Sequence, residues 1–448
     1  MLDKIQKYIT DVSAPIYIIG MFVFISLVGA LILATPFSSN AGQWTPMIDS
    51  WFTAVSAICV TGNVTVNTLE HWNYIGRTII LILIEIGGLG FMTLYVTLFV
   101  HMGRKINLRL HKILLESLNI SDISEVRSLL RYIMQFSFVV QGLGAVLLSL
   151  DFIPRLGWLK GIYYAIFHSV SAFCNAGFDL FGDSMISFQD KPLVMLTIIS
   201  LVVIGGMGFI VWRDLLTFRR NKKILFHTKI VITMTITLIL GGMVLFAITE
   251  RNAGLFQDQS PVMRWINYLF LSVTPRTAGF ANVDYTWLSP AGIFITLVLM
   301  FVGASSGSTG GGIKTTTLAS LLILASASIR RKGTVVFKRA ISMEAMLKSV
   351  FILLSGMVLI FGVSMILLLT EKIPQGFGIE YILVDVVSCF STVGLSMGLT
   401  PNLSFVGKFI LSILMLIGRI GIMTVFISVN MDNHPSKITY PHGNIMIG

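Results

Sequence analysis

A short apolar stretch that ends in glycine occurs four times in this chain: Phe52 to Gly62, Phe167 to Gly177, Leu269 to Gly279 and Val384 to Gly394. Successive glycines are 115, 102 and 115 residues apart. Such a stretch is too short to cross a bilayer, which takes about 20 apolar residues. Each one lies between two longer apolar runs. The runs cover Pro15 to Thr35, Ile75 to Val100, Arg131 to Leu150, Leu193 to Trp212, Ile230 to Ile248, Ala291 to Gly303 with a continuation from Thr315 to Ser328, Leu347 to Thr370, and Val406 to Val429. The composition agrees with membrane spans, since only 12% of the residues are charged against about 25% in an ordinary soluble domain. The pattern predicts an all-α integral membrane protein of four span, pore-loop, span repeats: eight transmembrane helices and four re-entrant pore helices around one pseudo-fourfold pore. The predicted repeats are 1–112, 113–222, 223–339 and 340–448. The first run exceeds a signal-peptide core and lacks a small-residue cleavage pattern, so it reads as a retained span.

The four stretches agree in register. Six residues before the glycine stand Ser56, Ser171, Val273 and Ser388, and seven before stand Val55, Val170, Ser272 and Val387. The runs that follow share a second glycine cluster, IGGLGF from Ile86, IGGMGF from Ile204 and IGRIGI from Ile417. Irregular backbone at membrane depth survives only where it is buried in protein or lines a watery cavity, so four such loops converge on one axis. Glycine opens backbone angles that turn carbonyl oxygens toward an ion in place of its hydration shell. Each preceding helix would aim the negative end of its dipole at the same point, which favours a cation. The candidate filter is therefore Val60-Thr61-Gly62-Asn63, Asn175-Ala176-Gly177-Phe178, Thr277-Ala278-Gly279-Phe280 and Thr392-Val393-Gly394-Leu395. One ring of carbonyls per glycine is expected, with no cofactor.

The net charge of +11 raises the question of nucleic acid, but the basic residues are distributed by topology. With Arg276, Lys314 and Arg419 set aside, segments 1–14, 101–131, 213–229, 330–348 and 431–448 hold 21 Lys and Arg, whereas the intervening connections hold 8. That bias puts both termini and the basic loops in the cytoplasm of a cell-membrane protein. Cys59, Cys174 and Cys389 form no CxxC pair, so neither a zinc site nor a disulfide framework is predicted. The seven histidines do not cluster, and of them only His168 falls in a pore stretch, where packing accounts for it.

The sixth run is interrupted by Gly303-Ala304-Ser305-Ser306-Gly307-Ser308-Thr309-Gly310-Gly311-Gly312, too flexible and polar for a lipid-facing helix, so it lines a cavity. Gly303 to Gly307 spells G-x-S-x-G, but no strand precedes it as a nucleophile elbow requires. Gly307 to Thr315 approaches a Walker A pattern, yet Ile313 separates Gly312 from Lys314. The chain therefore reads as a transporter and not an enzyme. Arg419, Glu85 and Lys314 lie inside apolar runs, where charge is costly and functional by default. Arg276 in the third loop is expected to brace that loop by bonding backbone carbonyls. Asp49, Asp179 and Asp284 stand near the outer mouths, where carboxylates could concentrate cations.

CVTGN with its preceding helix, TPRTAGF from Thr274 to Phe280 and GASSGSTGGGIKT from Gly303 to Thr315 resemble the Trk/Ktr/HKT superfamily of potassium transporters. Within it they resemble the bacterial Ktr membrane subunits of the KtrB and KtrD type, over nearly the whole chain. The resemblance implies uptake of potassium ions, held at the filter residues. Glycine at all four filter positions implies potassium preference, since members with serine in the first repeat carry sodium. Asn63 departs from the aliphatic residue of the family pattern. By the same likeness residues 303–317 are an intramembrane gating loop under the filter: Gly303, Ser305, Ser306, Gly307, Ser308, Thr309, Gly310, Gly311, Gly312 and Lys314, with Arg419 facing the pore beneath. The residues themselves also allow Arg419 to pair with Glu85. The likeness further implies a homodimer in the membrane, docked on a cytoplasmic ring of Ktr regulatory subunits of the KtrA or KtrC type that bind adenine nucleotides, and sodium as a possible activator. The basic stretches Arg104 to Lys112, Arg219 to Lys223 and Arg330 to Arg339 are candidate docking surfaces, and the tail Pro441 to Gly448 is a candidate for the subunit interface.

Two other readings make different demands. A secondary carrier for another solute or cation needs two inverted repeats. A polytopic membrane enzyme needs clustered His, Asp or Glu, which the sequence lacks.

Overall fold

The computed structural model describes residues 14–90, 126–251, 253–331 and 333–429. The first quarter contains α1 (Ala14–Ala34), α2 (Met47–Ile58) and α3 (Tyr74–Leu89). The second contains α4 (Val126–Leu156), α5 (Trp158–Cys174), α6 (Pro192–Met207) and α7 (Phe209–Asn221). The third has α8 (Phe226–Thr249), α9 (Pro261–Val273), α10 (Pro290–Phe301) and α11 (Thr315–Arg330). A hairpin of β1 (Val335–Val336) and β2 (Arg339–Ala340) leads to the fourth, α12 (Met343–Thr370), α13 (Glu380–Ser391), α14 (Phe405–Ile420) and α15 (Ile422–Val429).

Each quarter opens on a long apolar helix. Among the described residues four helices have the length and composition to cross a membrane alone: residues 16–34 of α1, 128–156 of α4, all of α8 and all of α12. The four opening runs read from the sequence lie inside these helices to within a residue or two. The short helices α2, α5, α9 and α13 follow, and their C-terminal ends are buried.

The closing runs of the first, second and fourth quarters differ from the continuous spans that hydropathy predicts. Helix α3 ends against Gly90, α6 against Gly208 and α14 against Gly421, with φ of +81°, +96° and +97° and extended ψ. Side chains rarely adopt such angles, so the last glycine of each IGGLG, IGGMG and IGRIG cluster stops the helix. The turn between α6 and α7 is 93°. In the third quarter α10 and α11 are separated by residues 302–314, as the sequence predicts.

The first glycine of each cluster does something else. A Cβ on Gly87, Gly205 or Gly418 would lie 1.9 Å from the carbonyl oxygen of Ile58, Phe173 or Phe390 respectively. Each of these carbonyls stands four residues before a filter glycine. The closing helix is thus notched so that the end of the short helix seats directly on its backbone, an approach only glycine permits. Equivalent corners tie the two long limbs together. Glu250 accepts from Ser289 N and Oγ, and Glu371 from Ser404 N and Oγ, at 2.5–3.1 Å. Each serine also caps the next helix.

Candidate functional site

The four glycine loops meet. A Cβ built on Gly62 would fall 2.4 Å from the Ala176 carbonyl oxygen, on Gly177 3.0 Å from that of Ala278, on Gly279 2.2 Å from that of Val393, and on Gly394 2.2 Å from that of Thr61. Each glycine faces the carbonyl that precedes the next glycine, and the order 62, 177, 279, 394 returns to 62. All four have positive φ, from +67° to +100°. Two residues earlier each loop again enters the left-handed region, at Val60, Asn175, Thr277 and Thr392, with φ of +58°, +61°, +70° and +52°. For β-branched Val and Thr this is a true outlier, costing on the order of 1–3 kcal/mol each. Every filter residue predicted from the sequence lies in these loops, although the helices stop well before the glycines.

Side chains beneath the loops fix their shape. Thr61 N, Ala176 N and Val393 N donate to the carbonyls of Ser56, Ser171 and Ser388 at 2.7–2.8 Å. The serine hydroxyls then diverge. Ser56 and Ser388 accept from Gly62 N and Gly394 N at 3.0 Å, whereas Ser171 donates to the Phe178 carbonyl at 2.8 Å. In the third loop Thr274 performs the Ser171 role by donating to the Phe280 carbonyl, one residue later than the alignment on Val273 predicts.

Asn63 faces protein and not the axis. Its amide nitrogen donates to Thr400 Oγ1 at 3.0 Å, its oxygen accepts from Ser388 Oγ at 3.2 Å, and Thr400 in turn donates to buried Asp385. The polar residue that breaks the family pattern therefore joins the first loop to the fourth. Sequence reading missed Asp385 and Thr400, whose only signal is a carboxylate inside an apolar pore stretch.

Residues 303–312 pack directly against these loops. Gly311 N donates to Thr392 Oγ1 at 3.1 Å, Thr309 Oγ1 to the Phe173 carbonyl at 3.2 Å, and Ser305 N to the Gly206 carbonyl at 3.0 Å. A Cβ on Gly310 would lie 2.2 Å from Thr277 Oγ1. Gly303 bonds Ile313 and Gly307 accepts from Phe209 N, while Ser305 and Ser306 pair with Thr315 and Thr316 across the loop and Ser308 bonds the Ser305 carbonyl. Gly312 packs on Ser391. Lys314 Nζ folds back on the Gly310 carbonyl at 2.6 Å.

Arg419 sits where three elements meet. It donates to the carbonyl oxygens of Thr309 and Gly87, with Gly88 at 3.5 Å. Its partners are backbone carbonyls and not Glu85, which instead accepts from Gln141 Nε2 at 2.9 Å and Cys174 Sγ at 3.4 Å. Three other expectations change. Arg276 is buried, but its side chain makes no hydrogen bond among the described residues, and its Nε and Thr235 Oγ1, which line one small cavity, both lack partners. It does not brace its loop. Nor are the three outer carboxylates free. Asp49 pairs with Lys408 at 2.7 Å, Asp179 accepts three backbone N–H groups from Phe181, Gly182 and Ser184, and Asp284 accepts from Thr286. Burial raises the Asp179 carboxyl above its usual range, and those three N–H bonds oppose the shift. The three cysteines are free and buried. The stretch Arg104 to Lys112 and the tail Pro441 to Gly448 lie outside the described residues.

Comparison with known proteins places this architecture. The profile of the TrkH family, described as cation transport proteins, matches residues 6–438. The chain is 45% identical to the potassium/sodium uptake protein NtpJ of Enterococcus hirae, with 99% of both chains covered. It is 37% identical to the Ktr system potassium uptake protein B of Bacillus subtilis, covering 100% of this chain and 99% of that one. The crystal structure of the potassium transporter TrkH from Vibrio parahaemolyticus superposes with a TM-score of 0.72 at 18% identity, over 92% of this chain and 84% of that one. This helical membrane protein belongs to the TrkH family of cation transport proteins.

Proposed function

We propose that the chain takes up potassium through the axis enclosed by its four glycine loops. The four quarters are then four span, pore-loop, span repeats, divided as 1–112, 113–222, 223–339 and 340–448. The basic loops and both termini face the cytoplasm. The observation that carries the reading is the closed contact of Gly62, Gly177, Gly279 and Gly394, each against the carbonyl preceding the next. Carbonyls gathered at one level replace an ion's water shell. The buried ends of α2, α5, α9 and α13 add four negative dipole ends without a carboxylate on the axis. The names of the Enterococcus and Bacillus relatives point to the same ion.

In this reading residues 303–317 form the gate. The loop lies against Thr277 and Thr392 on the side of the filter where Arg419 stands. Ions pass when the loop leaves those threonines, and Arg419 holds it closed by its grip on Thr309. A membrane potential supplies about 2.3 kcal/mol per charge per 100 mV, enough for roughly fifty-fold accumulation without a coupled ion. Control of the gate falls to a cytoplasmic nucleotide-binding ring docked on a homodimer, in line with the Ktr system named for the Bacillus relative. Sodium is the second cation to test, because the Enterococcus relative carries it in its name.

The test is potassium and sodium uptake in a bacterium lacking its own potassium uptake systems, comparing the native chain with Gly62→Ser. Potassium-selective uptake that admits sodium in the variant supports the filter. Equal, unselective uptake by both would overturn it and favour a carrier.

A further inference from the structure

Where α7 turns into α8, at the end of the bundle opposite the filter loops, the chain forms a cavity of about 540 Å³. Its wall combines two chemistries. Lys222, Lys223, Lys229 and Arg339 supply four exposed cations, and none of them makes an ion pair among the described residues. Leu225 and Phe337 supply apolar surface, 53% and 48% exposed.

The cavity is built rather than incidental. Buried Asp214 accepts from Leu225 N at 2.8 Å, which fixes the turn between the helices. The carboxylate forms no ion pair with the lysines among the described residues. Lys222 stands in the left-handed region at φ +50° with its N–H on the Phe218 carbonyl, a cap that throws its side chain off the end of α7. Lys229 lies within the first turn of the spanning helix α8, with its ammonium 6.0 Å from the centre of the Phe337 ring on the β1–β2 hairpin.

Unpaired cations set against exposed apolar side chains at the end of a membrane span match a molecule with an anionic head and an apolar body. We infer that this cavity binds the phosphate headgroup of an anionic phospholipid, with Lys222, Lys223, Lys229 and Arg339 around the phosphate and Leu225 and Phe337 against the upper acyl chain. A basic pocket among span ends recognises such headgroups by charge, and a soluble anion would leave the apolar wall in water. The hairpin follows directly on α11, whose N-terminus is the Lys314 end of the proposed gate. A bound lipid therefore joins α7, α8 and the hairpin that leads out of α11.

The experiment uses the full chain purified in detergent and measures tightly bound phosphatidylglycerol by native mass spectrometry, with thermal stability as a second readout. Adding phosphatidylglycerol should raise the melting temperature of the native chain, whereas phosphatidylcholine and sodium phosphate should not. Arg339→Gln on the exposed hairpin and the pair Lys222→Gln, Lys223→Gln should each retain several-fold less phosphatidylglycerol, while matching the native melting temperature in phosphatidylcholine. Equal retention by the native chain and both variants would overturn the proposal, and so would an equal shift with phosphatidylcholine. If sodium phosphate alone reproduces the shift, the site is one for free phosphate and the lipid assignment fails. Lipid retention is read without ion flux, so failure of the transport reading leaves this result untouched and separately measurable.

Discussion

Arg419 donates to the carbonyl oxygen of Thr309, and its other terminal nitrogen donates to that of Gly87. One guanidinium thereby ties the loop inserted in the third quarter to the closing helix of the first. Its planar fork can serve two carbonyls at once, which an ammonium on a single stem does less well. Arg419→Lys keeps the charge and loses the bridge. Each charged-donor bond is worth roughly 1.5–3 kcal/mol, so resting potassium flux in proteoliposomes should rise by about tenfold or more. If the charge alone closes the pore, Arg419→Lys should conduct like the native chain and only Arg419→Gln should be faster.

The link from Asn63 through Thr400 to Asp385 makes a second expectation. Thr400→Val removes the hydroxyl that bridges the two, leaving a buried carboxylate and a buried amide each one bond short. Such losses cost about 1–3 kcal/mol apiece. The variant should melt at lower temperature and discriminate less between potassium and sodium. Thr400→Ser should restore both, and a Thr400→Val chain with native selectivity would remove Asn63 from the filter's support.

Glycines in this protein divide sharply by surroundings. A Cβ on Gly205 would stand 1.9 Å from the Phe173 carbonyl oxygen, whereas one on Gly241 in α8 meets nothing within 4 Å. Gly205→Ala should unseat the short helix α5 and abolish uptake even where the protein still reaches the membrane. Gly241→Ala should leave uptake unchanged and raise stability slightly, since alanine exceeds glycine by about 1 kcal/mol in a helix interior. Uptake and melting temperature of the two variants, measured side by side, check both halves.

Lys408 and Asp49 form an ion pair whose side chains are 14% and 12% exposed. Removing one member of such a pair strands a buried charge, at a cost of about 3–5 kcal/mol. Lys408→Met should therefore melt well below the native chain. The double variant Lys408→Met, Asp49→Leu should recover most of the loss, and if it does not, the pair acts through geometry rather than charge.

The opening helix of each quarter was legible because an uninterrupted apolar run has one physical solution in a bilayer. The closing helices of the first, second and fourth quarters were not, because hydropathy is blind to backbone angle: Gly90, Gly208 and Gly421 score as part of an apolar run and end it. The meeting of the four loop glycines could be read from their spacing, but the left-handed residues two positions earlier could not. Val60 and Thr392 have nothing in their chemistry that favours such a conformation, which the surrounding bonds impose. The role of Asn63 was equally hidden, since Thr400 is 337 residues away along the chain. Arg276 misled for the opposite reason. A cation in a loop suggests carbonyl bonds, yet here the Thr274 carbonyl accepts from Ala278 N and Gly279 N, and the Phe280 carbonyl from the Thr274 hydroxyl.

Because a single polypeptide closes the ring of glycines, its quadrants are written separately. A subunit assembled from four identical copies must accept any substitution four times over, in every sector at once. Here one codon changes one sector: a hydroxyl can shift by a residue in the third, an asparagine can reach across from the first to the fourth, and only one closing helix need carry an inserted loop. The price of that freedom is that no sector can be exchanged for a fresh copy, so a fault in any one quadrant breaks the closed ring of contacts.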